Sequence, residues 1–195
     1  MKNLFSEEEL GDLTKAWLAI SLAFAIVLNG GFSIEITFGY MFLLSALTVG
    51  VGFIFHELSH RTVAKHFGCY ARFKSFDQML ILAVVMSFFG FVFAAPGAVM
   101  ISGPVGRRRN GMISASGPAA NLILALGFLG LLLLEPIALV KNIAYYGFLI
   151  NTWLALFNML PFWNFDGKKI LNWNKVVYFG MVAVAVGFMI LQSML

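Results

Sequence analysis

Apolar residues run in long blocks at approximately 16–33, 37–55, 79–95, 119–134, 143–160 and 176–195, separated by short polar connectors. Each block is near the roughly 20 residues that a helix needs to cross a bilayer. The pattern predicts an all-α polytopic membrane protein with five to six transmembrane helices and one membrane-embedded domain over 1–195. Glu7, Glu8, Glu9 and Asp12 follow Lys2, unlike the basic start of a cleavable signal peptide, so the first block is expected to be a retained helix. Ser6 with Glu9 reads as a capping box opening a short interfacial helix.

The third block breaks the pattern. Its residues are rich in β-branched and aromatic types and are interrupted by Gly90, Pro96, Gly97 and Gly103. The connector at 29–36 carries no basic residue, whereas Arg61, Lys65, Arg72 and Lys74 follow the second block and Arg107, Arg108 and Arg109 follow the third. Basic residues collect on the cytoplasmic side, which puts both flanks of the third block there. A small re-entrant or β-strand segment near residues 79–103 is therefore expected, with an ordinary sixth helix as the alternative. The remaining blocks would then run outward, inward and outward, with Glu135, Pro136 and Lys141 in a short external turn.

Composition agrees with the pattern. Hydrophobic residues make up 61% of the 195 and charged residues 11%, with a mean hydropathy of +0.89. Soluble proteins average about 45–50% apolar and about 25% charged. Thirteen Lys and Arg against nine Asp and Glu give a pI near 9.3. The basic residues are scattered along the connectors, however, which indicates membrane topology and not a nucleic-acid stripe. The Arg107–Arg109 triplet fits a topology anchor or a contact to anionic lipid. Cys69 is alone, which excludes an internal disulfide and a cysteine-rich metal site.

The second block continues into FIFHELSHRTVAKHFG. His56 and His60 are four residues apart and share one helix face, where two imidazoles can hold one zinc ion. Glu57 beside them is placed to take a proton from a water on that ion, whose pKa the metal lowers to about 7. Three ionisable residues in the continuation of an apolar span are costly unless they serve a polar function. A catalytic zinc generally has a third protein ligand. His66 lies ten residues after His56, but the turning glycine such a spacing requires is Val63, and on an unbroken helix His66 would be rotated by roughly 80° and displaced by about 15 Å. Asp166, after Pro161 at the inner end of the fifth block, is the better candidate, with Gly167 allowing a sharp turn; a simple Asp-Gly turn at the membrane edge is the alternative.

Three separated motifs together resemble the site-2 protease family of intramembrane metalloproteases. His56-Glu57-Leu58-Ser59-His60 continues with Ala64 and Gly68 in an HExxHxxxAxxxG spacing. Ser116-Gly117-Pro118-Ala119-Ala120-Asn121 resembles the family's GPxxN element, and Asn158-Met159-Leu160-Pro161 leading to Asp166-Gly167 resembles its NxxP…DG motif. The resemblance covers a catalytic core of about 37–170. Where the family often has a proline-rich stretch before DG, this chain has Phe162, Trp163, Asn164 and Phe165.

The resemblance implies one zinc per chain held by His56, His60 and Asp166, with Glu57 catalytic. Asn121 and Asn158 are candidates for contacts to the oxyanion or the substrate backbone, interhelical hydrogen bonding being the alternative for both. It further implies hydrolysis of transmembrane protein or peptide segments, which must unwind before their peptide bonds can be attacked. The segment from Ala94 to Gly103 could offer an edge to the unwound strand. A minimal core without a PDZ-like or nucleotide-sensing domain is expected, in a prokaryotic cell membrane with its site toward the cytoplasm. Oligomeric state is left open. A noncatalytic membrane scaffold or a metal transporter using the same residues is the competing reading.

Overall fold

The computed structural model describes residues 5–92, 96–134 and 137–195. Eight α-helices and two short strands follow in the order α1 (Glu7–Asn29), α2 (Ile36–Ser45), α3 (Val51–His66), β1 (Tyr70–Ser75), α4 (Asp77–Ser87), β2 (Gly97–Ser102), α5 (Arg107–Leu133), α6 (Ala138–Asn158), α7 (Asp166–Trp173) and α8 (Lys175–Gln192). A π-helical turn, Ala46–Gly50, joins α2 to α3, so Ile36–His66 is one long rod.

The chemistry of the surface is inverted relative to a water-soluble protein. Ile123, Leu126, Leu133, Phe179 and Val176 are exposed, while Ser21, Thr48, Asn121, Asn151 and Thr152 are fully buried. In hydrocarbon, apolar side chains have nothing to gain by turning inward, and helices associate through small residues and internal polar contacts. Ala16, Ala23, Ala125, Ala144 and Ala155 accordingly lie at helix contacts with no exposed surface. Gly147 on α6 leaves space for the Phe128 ring of α5, which a Cβ at that position would strike.

Four helices among the described residues are long and apolar enough to cross a membrane: Glu7–Asn29, Ile36–His66, Arg107–Leu133 and Lys175–Gln192. The expected five to six spans are thus met by four. The third apolar block supplies only the 11-residue helix α4 before its chain turns into β2, which is too short to span. Helix α6 has 21 residues but is interrupted by Lys141, Asn142, Asn151 and Asn158. The expected turn at Glu135 and Pro136, and Ala94 of the expected edge segment, lie outside the described residues.

The strand-bearing reading of the third block has a counterpart in a two-stranded antiparallel sheet, with Tyr70 opposite Ser102 and Ser75 opposite Gly97. Helix α1 is continuous from its acidic start into its apolar body. Ser6 caps it by accepting from the Glu9 amide at 3.2 Å. The side chain of Glu9 does not complete a capping box. It is buried, accepting from Arg61 Nε at 2.7 Å, from a second Arg61 nitrogen at 3.0 Å and from the Phe73 amide at 2.9 Å. One carboxylate thereby ties α1 to the end of α3 and to β1.

The π turn has a local cause. Trp17 Nε1 of α1 donates to the Ala46 carbonyl at 3.1 Å, and a Cβ at Gly50 would lie within 2.8 Å of the same indole. The turn brings α1 against the rod just under two helical turns before His56.

Candidate metal centre

Helix α3 presents His56 and His60 on one face, as their four-residue spacing demands. Both are buried, and their Nε2 atoms lie 3.0 Å apart. Asp166 opens α7, and its Oδ2 lies 3.3 Å from His56 Nε2 and 3.0 Å from His60 Nε2. A tetrahedral zinc with bonds of about 2.0–2.1 Å holds its ligand atoms roughly 3.3 Å apart, so the two nitrogens and one oxygen fit such an ion in both type and spacing. Among the described residues they form the one group of three or more metal-ligating side chains gathered closely enough to share an ion. His66 is exposed at the end of α3, outside this group.

The chain brings Asp166 to this point through the end of α6. Helix α6 stops at Asn158, and Pro161 lies just beyond its cap, Met159. Trp163 then takes a left-handed conformation with φ of 50°, and the chain re-enters a helix at Asp166. Gly167 does not act through conformational freedom, the role a sharp turn would give it. It is helical, and it is required by space, because a Cβ there would strike the Met159 carbonyl.

Each histidine is oriented from behind. His60 Nδ1 lies 2.8 Å from the Ile113 carbonyl, and His56 Nδ1 lies 2.7 Å from Asn121 Oδ1. Both partners can accept, so both Nδ1 atoms carry the proton and both Nε2 lone pairs face Asp166. Ser116 Oγ donates to the same Ile113 carbonyl at 2.7 Å. These contacts come from α5, whose Pro118 interrupts the regular helical ladder beside Gly117.

Glu57 is buried and its carboxylate hydrogen-bonds with the backbone of Val99 on β2. Lys169 Nζ stands 3.4 Å from Asp166 Oδ1. Asp166 completes the group by turning one carboxylate oxygen to the two Nε2 atoms.

The sequence-predicted amides lie apart in role. Asn121 is fully buried, accepting from His56 and donating to Gly52 O and Asn151 Oδ1, each at 3.0 Å. Asn158 is half-buried and donates to Leu154 O at 2.9 Å. Sequence reasoning did not single out Asn151, Val99 or Lys169. The one signal available for Asn151 was an amide in the middle of an apolar run.

A protein of Methanocaldococcus jannaschii named "Putative zinc metalloprotease MJ0611" is 41% identical to this chain over 189 residues, which is 95% of each. The chain belongs to this zinc metalloprotease family. No family model matches it, and no solved structure was found to match it. The metalloprotease is thus assigned from near full-length similarity. Its donor set of two imidazoles and one carboxylate is suited to zinc, and its apolar helices mark it as a membrane protein. The relative's name does not favour the scaffold or transporter alternative.

Proposed function

We propose that this metalloprotease is an intramembrane endopeptidase of the site-2 protease type, cutting transmembrane segments of proteins or peptides. The observation that carries the reading is the position of the His56, His60 and Asp166 cluster. It is buried between helices whose outer faces are apolar, at the end of the rod Ile36–His66. A protease for soluble chains has no need to place its centre there.

Bound zinc would polarise the scissile carbonyl and make an attacking water acidic. Glu57, adjacent in sequence to the ligand His56, takes that water's proton and delivers it to the leaving amine nitrogen. His56, His60 and Asp166 hold the ion, and the Ile113 carbonyl and Asn121 orient the two imidazoles. Asn121 has its amide fully engaged inside the bundle, so we assign contact with the substrate backbone to Asn158.

Substrate handling follows from the register of the sheet. The Phe73 amide points to Glu9 and not to β2, so Phe73 and its partner Val99 form a pair without ladder hydrogen bonds. The N–H and C=O of Val99 therefore point away from β1, and strand alternation gives Gly97 and Ile101 the same direction. Along that edge Glu57 accepts from the Val99 N–H, and the outward groups of Gly97 and Ile101 can pair with an unwound substrate and satisfy backbone groups that lose their helical partners. Substrates rich in Gly, Pro, Asn or Ser should unwind most readily.

Basic residues Arg61, Arg72, Arg107 and Lys169 gather at the same end as the cluster, while Tyr40 and Asn142 meet at 3.0 Å at the starts of α2 and α6. The bias of basic residues supports a site facing the cytoplasm, and the proposal sets the protein in a prokaryotic cell membrane. Helix α6, about 32 Å long, would serve as a fifth crossing shielded by α5, within a single catalytic domain.

Purified protein in detergent tests the proposal with two substrates: a transmembrane segment containing Gly and Pro, and an unstructured soluble peptide. Cleavage inside the apolar segment, lost with chelator and restored by zinc, is expected. Cleavage confined to the soluble peptide would contradict the intramembrane reading, and full zinc retention by Asp166→Ala would contradict the ligand set.

A further inference from the structure

Behind His56 a line of buried polar groups reaches further than the ligands require. Asn151, in the middle of α6, has no exposed surface. Its Nδ2 donates to the Gly147 carbonyl at 2.9 Å, and its Oδ1 accepts from Asn121 Nδ2 at 3.0 Å. An amide at this depth is costly in hydrocarbon unless its groups are paired, and both of its polar atoms are.

The sense of the line follows from chemistry alone. Gly147 O and Gly52 O are carbonyls and can only accept. Gly147 O therefore draws the Asn151 nitrogen, which turns Asn151 Oδ1 toward Asn121. Asn121 Nδ2 then directs its two hydrogens to Asn151 Oδ1 and to Gly52 O, at 3.0 Å each. Asn121 Oδ1 is left facing His56 Nδ1 at 2.7 Å, and that nitrogen must donate. His56 Nε2 consequently keeps its lone pair on the cluster. The fit is close, since a Cβ at Gly52 of α3 would collide with Asn151 Oδ1. α3 and α6 meet at this amide because residue 52 has no side chain.

We infer that Asn151 is a positioning residue for the metal centre, selecting the ligating tautomer of His56 through Asn121. The inference rests on His56 being a metal ligand, as proposed above. Asn151 itself touches neither ion nor substrate. It acts by holding the Asn121 amide in the one orientation that presents an acceptor to His56. Without Asn151 the Gly52 carbonyl alone opposes a turn of Asn121 that presents its NH₂ to His56 Nδ1 and favours the tautomer whose Nε2 carries the proton.

The test is metal binding by the full chain in detergent. Zn²⁺ would be titrated against a chelator, and Co²⁺ would be followed by its visible absorption. Asn151→Leu should weaken both ions about 10-fold or more, as loss of outer-shell support typically does, and should alter the Co²⁺ band. Asn151→Asp, which keeps an acceptor oxygen in place, should bind nearly as wild type. In an Asn121→Ala background Asn151→Leu should cause no further loss, because its route to His56 is already cut. Wild-type affinity in Asn151→Leu, equal losses in both backgrounds, or a loss in Asn151→Asp as large as in Asn151→Leu would each overturn the inference. Failure of the wild type to bind either ion would overturn the metal-centre reading as well.

Discussion

Gly117 of α5 lies against the inward edge of His60, so close that a Cβ at position 117 would overlap His60 Nε2 and also crowd His56 Nε2. The glycine in the GPxxN element is thus explained by the space in front of the two donor nitrogens. Gly117→Ala should fold, since Gly117 has an ordinary helical backbone within α5, but should lose metal. Zinc content after dialysis should fall by at least 100-fold in affinity terms, roughly the upper end of what disturbed ligand orientation costs. Undiminished zinc in a folded Gly117→Ala protein would contradict the site geometry.

Removal of the Glu9 carboxylate should act on stability first. Glu9 and Arg61 are both buried, and the Phe73 amide shares the carboxylate. Taking away one partner of a buried pair leaves the other uncompensated and costs about 3–5 kcal/mol. Glu9→Ala should therefore lower the thermal midpoint in detergent by several degrees or more, while Glu7→Ala, at an exposed position of the same turn, should change it little. Equal midpoints for both variants would contradict the tie between α1 and α3.

The free edge of β2 gives a separate prediction. Ile101 is opposite Ala71, two residues from the Val99 pair, so its N–H also points away from β1. Ile101→Pro removes that outward donor without breaking a ladder bond. Cleavage of a transmembrane substrate should fall about 10-fold in kcat/KM, the effect of about 1.4 kcal/mol of lost substrate hydrogen bonding, with zinc content unchanged. Unaltered cleavage would remove the edge from the account.

The parts legible in the sequence were those with local causes. The spacing of His56 and His60 fixes a shared helix face in any helix, and the apolar blocks announce membrane helices wherever they pack. Asp166 could be reached through motif resemblance, although the reason for Gly167 is packing against Met159 and not a turn. The third block read as a broken, strand-bearing segment because Gly90, Pro96, Gly97 and Gly103 interrupt it, and the chain leaves the helix after Ser87 and forms β2 from Gly97. Glu9 read as half of a capping box because its true partners, Arg61 and Phe73, are more than fifty residues away. Asn151 was illegible for the same reason: one amide in an apolar run acquires meaning only when the register of α5 and α6 sets it beside Asn121.

The most direct test of the central claim is Glu57→Gln, measured for zinc content and for cleavage of a transmembrane segment in the same preparation. Glu57 is buried between the cluster and Val99 without belonging to the ligand set. The account predicts one zinc per chain, as in the wild type, with cleavage reduced at least 100-fold, about the contribution of a positioned general base. Wild-type cleavage by a zinc-loaded Glu57→Gln protein would contradict it.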